Sequence, residues 1–287
     1  MPVELYALSS NFKTVLGVLR SDKNLLAGAL MLLVFVLVAV FANLIATYHP
    51  LQTGLTRGLH PPSRGFLMGT DQIGRDVFSW VIYGTRTALV VGVTATAISF
   101  VIALAVGLVS GYFGGKADLV LMRIVDILLS IPQFIFMIVM VMLYGSTFTN
   151  IVLIIGLLSW PTLARIVRAE VLSLREREFV LAARALGASS RDLILKEILP
   201  NALPPVIPAA ALTASNAILA EAALSFLGLG DPRVPSWGTM LWIARQAIFA
   251  GGWWTLVFPS IFIVLVILSI NIIADGLNNV LNPRERT

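Results

Sequence analysis

The chain contains no cysteine in 287 residues. That excludes disulfides, thiolate catalysis, iron–sulfur clusters and cysteine-based zinc sites. Histidine is nearly as scarce. His49 and His60 are the only two, too few for a histidine-rich metal site within one chain. Charge is thin: Asp, Glu, Lys and Arg make up 12%, where a soluble domain carries ~25%. No phosphate-cradling pattern G-x-x-x-x-G-K-[ST] occurs. The nearest stretch, "SGYFGGKA" at 110–117, has Ser110 for the first glycine and Ala117 for the final hydroxyl. H-E-x-x-H and G-x-S-x-G are absent as well, which removes two hydrolase classes. No catalytic residue, metal site or cofactor is expected in this chain.

What fills it instead is hydrocarbon. Hydrophobic residues make up 58%, against ~45–50% in soluble domains, and the mean hydropathy is +0.91. The composition is that of an integral membrane protein. The net charge of +5 then reads as cytoplasmic arginine bias, not as a nucleic-acid footprint. A helix needs ~20 apolar residues to cross the bilayer. Residues 25–47 are 23 without a charge, too long for a signal-peptide core and with no small-x-small site behind them. They are expected to be a retained first span. Residues 87–113 form a second. The 38 uncharged residues 127–164 exceed one crossing, and "YGSTFTN" at 144–150 marks a turn between a third span, 120–143, and a fourth, 151–171. A fifth lies near 204–227 and a sixth near 254–274.

Six crossings put both termini on one side. With the N-terminus inside, 14 Lys and Arg fall on inner segments and 6 on outer ones. The positive-inside rule favours cytoplasmic termini in a cell membrane. Two segments, about 48–86 and 228–253, are then extracytoplasmic. Their Gly, Pro and Asp suit turns, and their Trp residues suit the membrane interface.

One inner segment departs from the rest. "EREFVLAARALGASSRDLILKEILP", 176–200, holds eight charges in 25 residues. Phe179, Ala183 and Leu186 recur at helical spacing on one face. Gly187 is a natural helix stop. Ser189 with Asp192 fits the S-x-x-D capping pattern of a second helix, Asp192 and Lys196 are spaced for an i,i+4 pair, and Pro200 is expected to end or kink that helix. Small residues (Ala182, Ala183, Ala185, Ala188) surround the bend, so another surface can approach closely. A solvated loop and a docking element both remain open.

This segment resembles the EAA loop of ABC-transporter permease subunits, E-A-A-x3-G-x9-I-x-L-P. Ala182, Ala183 and Gly187 match, and Leu199 and Pro200 stand at the required distance. Leu181 replaces the leading Glu, and Glu197 replaces the Ile. "GTDQIGRDVFSWVIYGTRTAL", "GYFGGKADLVLMRIVDILLSIP", "LSFLGLGDPRVPSWGTML" and "DGLNNVLNPR" are similar to the dipeptide/oligopeptide/nickel permeases of the DppC/OppC type, so the likeness covers about 69–284. It implies an all-α integral membrane fold of about six transmembrane helices, a MetI-like permease core with an extra N-terminal span. The implied layout is an inner N-terminal segment 1–24, a first span 25–47, an outer segment 48–86, a core 87–277 with coupling loop 172–200, and an inner tail 278–287. It implies that Ala182, Ala183, Arg184, Gly187, Ala188, Ser189, Leu199 and Pro200 couple to an ATPase. The implied partners are a second homologous permease subunit, two ATP-binding subunits holding ATP and Mg, and an extracytoplasmic substrate-binding protein. Peptides head the implied substrates, with nickel and oligosaccharides as alternatives.

Polar residues within the spans are functional candidates by default. Asp126 is expected to pair with Arg123, one turn back. Glu221 has no cation near it in sequence. The prolines at 200, 204, 205 and 208 crowd the start of the fifth span, which is expected to line a translocation path with Ser215, Asn216 and Glu221. Hydrogen bonding between neighbouring helices is the alternative for Ser215 and Asn216. Gly111, Gly114 and Gly115 are expected to shape the turn into the third span, and Asp275 to mark the end of the sixth. In the outer segment, Asp71, Arg75, Asp76 and Trp80 either organise the loop or meet the binding protein. An ion-driven carrier would want an inverted repeat and midplane charge clusters, and neither is evident. A membrane scaffold leaves the Gly-centred loop unexplained.

Overall fold

The structure, a computed structural model, describes residues 22–281. Residues 1–21 and 282–287, which carry four of the basic residues counted on the inner side, lie outside the described residues. Among the described residues the regular structure is helical, apart from the isolated bridges His60–Thr70 and Thr70–Asp76.

The first crossing, α1 (Lys23–Val40), starts where the Asp22 carboxylate accepts the Asn24 N–H at 2.8 Å. The second, α2, runs Val77–Phe113 and begins ten residues before the expected span. The cause is a cap: Asp76 Oδ2 accepts the Ser79 N–H at 2.8 Å and its hydroxyl at 2.6 Å, meeting orphan donors of the first turn. Arg86, read from sequence as the end of the outer segment, is helical. It donates to the carbonyls of Ala39 and Val40 at the end of α1, at 3.0 and 3.4 Å.

The third crossing is not one helix. α3 (Gly115–Ser130) and α4 (Gln133–Tyr144) meet at 85°. Ile131 precedes Pro132 and is extended, φ −92 and ψ 129; the proline ring pushes its neighbour out of the α region. The fourth crossing is α5 (Phe148–Arg175), capped by Thr147. A short helix, α6 (Glu178–Ala185), follows. The fifth crossing is a rod that runs from Ser190 through the π turn Leu193–Ile198 and α7 (Leu199–Leu224) into a second π turn, Ser225–Leu229, where the helix breaks at Gly228, φ +85°. Helix α8 (Trp237–Ala247) lies in the segment expected to be loop, and α9 (Trp254–Leu281) is the sixth crossing.

Pro200 does not end the rod. The π turn Leu193–Ile198 lies directly before it, and the helix runs on through the proline without its N–H. α9 likewise continues past Asp275.

Helices α2 and α5 pack most extensively. A Cβ on Gly107 would lie 2.5 Å from Val167 Cβ, and one on Gly111 2.7 Å from Val171 Cβ. This small-xxx-small pair lets the two helices touch along their backbones. Gly111 therefore serves helix packing and not the turn, which Gly114 and Gly115 make with φ of +64° and +53°. α7 packs on α2, α5 and α9, and α1 packs on α9. Both described chain ends lie beside the α6 end of the bundle: Asn279 donates to Asp22 at 3.4 Å, and residues 275 and 278 flank Pro205 and Pro208.

Candidate functional site

Two ends of the bundle hold most of the residues singled out from sequence. At the first, α6 ends in a Schellman motif. Gly187 has φ +87°, the Ala188 N–H donates to Ala183 O at 3.1 Å, and the Gly187 N–H to Arg184 O at 3.0 Å. Ser189 then caps the next helix: its Oγ accepts the Asp192 N–H at 3.2 Å. Asp192 pairs with Lys196 at 2.6 Å. Val180, Leu193 and Ile198 are fully buried in one apolar cluster with Val167 and Val171 of α5 and Ala202 and Val206 of α7, and Ala183 and Ala188 pack against it. The bend is thereby fixed to both rods.

Its other face is open. Phe179 and Leu181 are each 42% exposed and Leu186 is 90% exposed. The inner face is thus Val180 with Ala183, and not the expected row of Phe179, Ala183 and Leu186. With only two turns of helix, the flat β-branched Val180 fits against α5, which turns the larger side chains outward. Ala182, Arg184 and Pro200 are exposed, while Leu199 is half-buried. Of the two departures from the EAA pattern, Leu181 stands on the open face and Glu197 is half-buried, its carbonyl taken by the Asn201 side chain at 2.6 Å. A cleft of about 580 Å³ beside the bend is lined by Leu174, Glu176, Arg177, Glu178 and Phe179.

The opposite end is a closed polar frame. Arg75 pairs with Asp71 at 2.7 Å and lies 4.0 Å over the Trp80 ring. Asp71 also accepts the Ile73 and Arg75 N–H groups, and Asp76 the Thr47 hydroxyl. Asp71, Asp76 and Trp80 are buried, so these side chains are spent inside the segment. Trp237, expected at the membrane interface, is buried too, as is Trp254 at the start of the sixth crossing. Each donates its indole N–H at 3.0 Å, to Val81 O and Thr70 O respectively. Asp231 clamps the second outer segment onto α5. It accepts the Phe148 N–H at 3.1 Å and two bonds from the Arg233 guanidinium at 3.0 Å. Chiefly through Arg233, its carboxyl is pushed down to about 2. A cavity of about 260 Å³ opens here between Gln72, Ile73 and Arg75 on one side and Trp242, Arg245 and Gln246 on the other.

Between the ends, the three residues proposed for α7 separate. Ser215 is buried and donates to Asn271 of α9 at 2.7 Å. Glu221 is buried and accepts the Ser225 hydroxyl at 2.7 Å. Asn216 alone is exposed, on the face of Leu212 and Leu219. Asp126 pairs not with Arg123 but with Arg165 of α5 at 2.5 Å. Sequence spacing along one helix could not show a partner 39 positions away. Arg168 makes a bidentate contact with Asp118, at 2.5 and 2.6 Å, and Gln133 donates to Ser159 Oγ at 3.1 Å and Leu158 O at 3.2 Å.

A helical bundle of six crossings, with a half-anchored helix pair at one end and a locked frame at the other, defines a multi-span membrane protein of the permease class. Residues 103–287 match the family described as binding-protein-dependent transport system inner membrane component, and residues 10–62 the N-terminal TM domain of oligopeptide transport permease C. The dipeptide transport system permease protein DppC of Alkalihalophilus pseudofirmus is 37% identical over 100% of this chain and 94% of its own length. The di/tripeptide permease DppC of Pseudomonas aeruginosa is 38% identical over 92% of this chain and 89% of its own, and the oligopeptide permease OppC of Bacillus subtilis 36% over 93% and 88%. A structure described as inward-facing conformations of the MetNI methionine ABC transporter superposes with a TM-score of 0.55 at 23% identity, over 72% of this chain and 97% of that one; it shows the MetI-like fold. The chain belongs to the binding-protein-dependent transport system inner membrane component family, as a permease subunit of the DppC/OppC type and not a catalytic one.

Proposed function

We propose that this chain is one of two homologous permease subunits of an importer that carries peptides across the cell membrane. Its relatives are named for dipeptide, di/tripeptide and oligopeptide transport. In this reading two ATP-binding subunits, which hold ATP and Mg, dock on the α6–Gly187 bend, and their closure moves α5 and α7 as rigid bodies. The observation that carries the reading is the two-faced bend. Val180, Leu193 and Ile198 bury one face against both rods, while Leu186, Phe179 and Leu181 on the other face are exposed among the described residues. A short amphipathic element of this kind fits a partner's groove. Ala182, Ala183, Arg184, Gly187, Ala188 and Ser189 are the proposed contact, with Leu199 and Pro200 carrying it into α7. The loop and both termini are assigned to the cytoplasm on the distribution of Lys and Arg. The frame around Asp71, Arg75, Asp76 and Trp80 would then face a substrate-binding protein through its rim and the neighbouring cavity, which Arg75 lines, and not through the buried Asp71, Asp76 and Trp80.

The test is reconstitution in liposomes with the second permease subunit, the ATP-binding subunits and the binding protein. ATP-dependent uptake of short peptides, absent when the ATPases are omitted, is the expected result. Uptake by this chain alone without ATP would overturn the coupling, and uptake of nickel or an oligosaccharide in place of peptides would overturn the substrate.

A further inference from the structure

The side chains that join α3 and α4 to α5 form a polar seam. Asp126 pairs with Arg165, and Gln133 with Ser159. Ser130 and Thr162 are exposed beside them. Two independent features of this seam conflict with a lipid neighbour. The first is charge: the Asp126 and Arg165 side chains are 50% and 51% exposed on helices that count as membrane spans, and ionisable groups there almost always face a bundle interior or a water-filled cavity. The second is backbone. The chain breaks at Ile131 and Pro132, next to Gln133, and these residues are exposed. Non-helical backbone at membrane depth persists only inside protein or along water. The depth follows from α5: Ser159 lies ~17 Å from the Phe148 end and ~24 Å from the Arg175 end at 1.5 Å per residue.

We propose that the elbow between α3 and α4, with the facing stripe of α5, is the wall this subunit presents to the aqueous translocation path. Asp126 and Arg165 form its charged station. A half-exposed ion pair is worth only ~0–1 kcal/mol, so it opens at little cost, and each partner can re-pair with the oppositely charged ends of a zwitterionic solute. The wall is therefore suited to solutes with separated charges and amide groups. α7, where Ser215 and Glu221 are already buried, is left to transmit motion.

The inference rests on the chain being half of a path. Because the chain has no cysteine, labelling of the assembly with the unsubstituted chain gives the background of the other subunits, which is subtracted from each single variant. Ser130→Cys and Thr162→Cys are compared with Leu153→Cys and Leu157→Cys, which sit on the apolar outer side of α5 at 43% and 51% exposure. The assembled transporter, its assembly checked for each variant, is treated in liposomes with a charged, membrane-impermeant methanethiosulfonate. Reaction at 130 and 162 at least about tenfold faster than at 153 and 157 is expected for a water-lined wall. Equal rates, whether lipid or the second subunit covers the elbow, overturn the proposal. Labelling does not depend on the solute carried. Fast labelling without peptide uptake would sink only the substrate reading; slow labelling with normal uptake would sink only this one.

Discussion

The two ends of this bundle use polar residues in opposite ways. At the frame end, Asp71, Asp76 and two of the tryptophans are buried and bonded to partners from several chain segments. At the bend end, a pair such as Asp192–Lys196 is largely in solvent, and the apolar side chains Phe179 and Leu186 look outward. One end is finished within the chain; the other is finished only on one face. The contrast teaches that stability and coupling are separable here. Damage to the frame should unfold the subunit, whereas damage to the bend should leave it folded but deaf to its partner.

The largest loss of stability is expected from Trp237→Ala. The indole is 2% exposed and bonds Val81 O, so truncation leaves a large cavity and removes one of the bonds to a carbonyl that also accepts the Thr85 hydroxyl, a cost of ~3–5 kcal/mol. Thermal unfolding in detergent should show it, and an unchanged melting temperature would break the comparison at its stronger side. Asp76→Ala should come next, at ~2 kcal/mol, because it removes the cap of α2 and the tie to Thr47 together. Here a second readout is proteolysis within residues 46–76.

Gly187→Val acts at the other end. Its φ of +87° suits glycine, and a β-branched residue there costs ~1–2 kcal/mol, confined to a turn where no described residue comes within 4 Å of an added Cβ. Melting should shift little, while ATP-driven uptake is lost. Retained uptake would remove the bend from the coupling route. Leu186→Glu is sharper still, since the side chain is 90% exposed and surface changes of this kind stay within ~0.5 kcal/mol. Capture of the ATPase subunits should fall all the same.

The bend was legible from sequence because its determinants are local: Gly187, the Ser189 cap and the Asp192–Lys196 pair act within four residues. The crossings were legible because hydrophobic length is a direct requirement of the bilayer. What escaped was set by contacts distant in sequence or by single residues that hydropathy does not register. Residues 127–143 carry no charge and read as one apolar run, so the 85° elbow was signalled by Pro132. The early start of α2 depends on Asp76, while the charge at Arg86 set the expected start of the span at 87. Asp126 had a cation three residues away and took one from another helix instead. Among the site residues, spacing placed the coupling loop but could not choose its inner face, and it could not tell a buried Ser215 from an exposed Asn216 on the same helix.

The smallest effect is expected at Asp231, and it tests whether the frame is electrostatic as well as packed. Its carboxyl, held down to about 2 by the Arg233 guanidinium and the Phe148 N–H, titrates near 3.8 when those partners are gone. A group depressed in the folded state favours folding fully above its unfolded value, and that contribution drains away as pH falls toward the folded value. The clamp should thus be intact at pH 6 and weaken between roughly pH 4 and 2. Asp231→Asn keeps the shape but cannot ionise. The difference in melting temperature between the native protein and this variant should be constant above about pH 5 and shrink as acid is added. A difference that stays flat through pH 3 would mean that packing of the second outer segment on α5 carries the frame without its charge, and the two ends would then differ in burial but not in electrostatics.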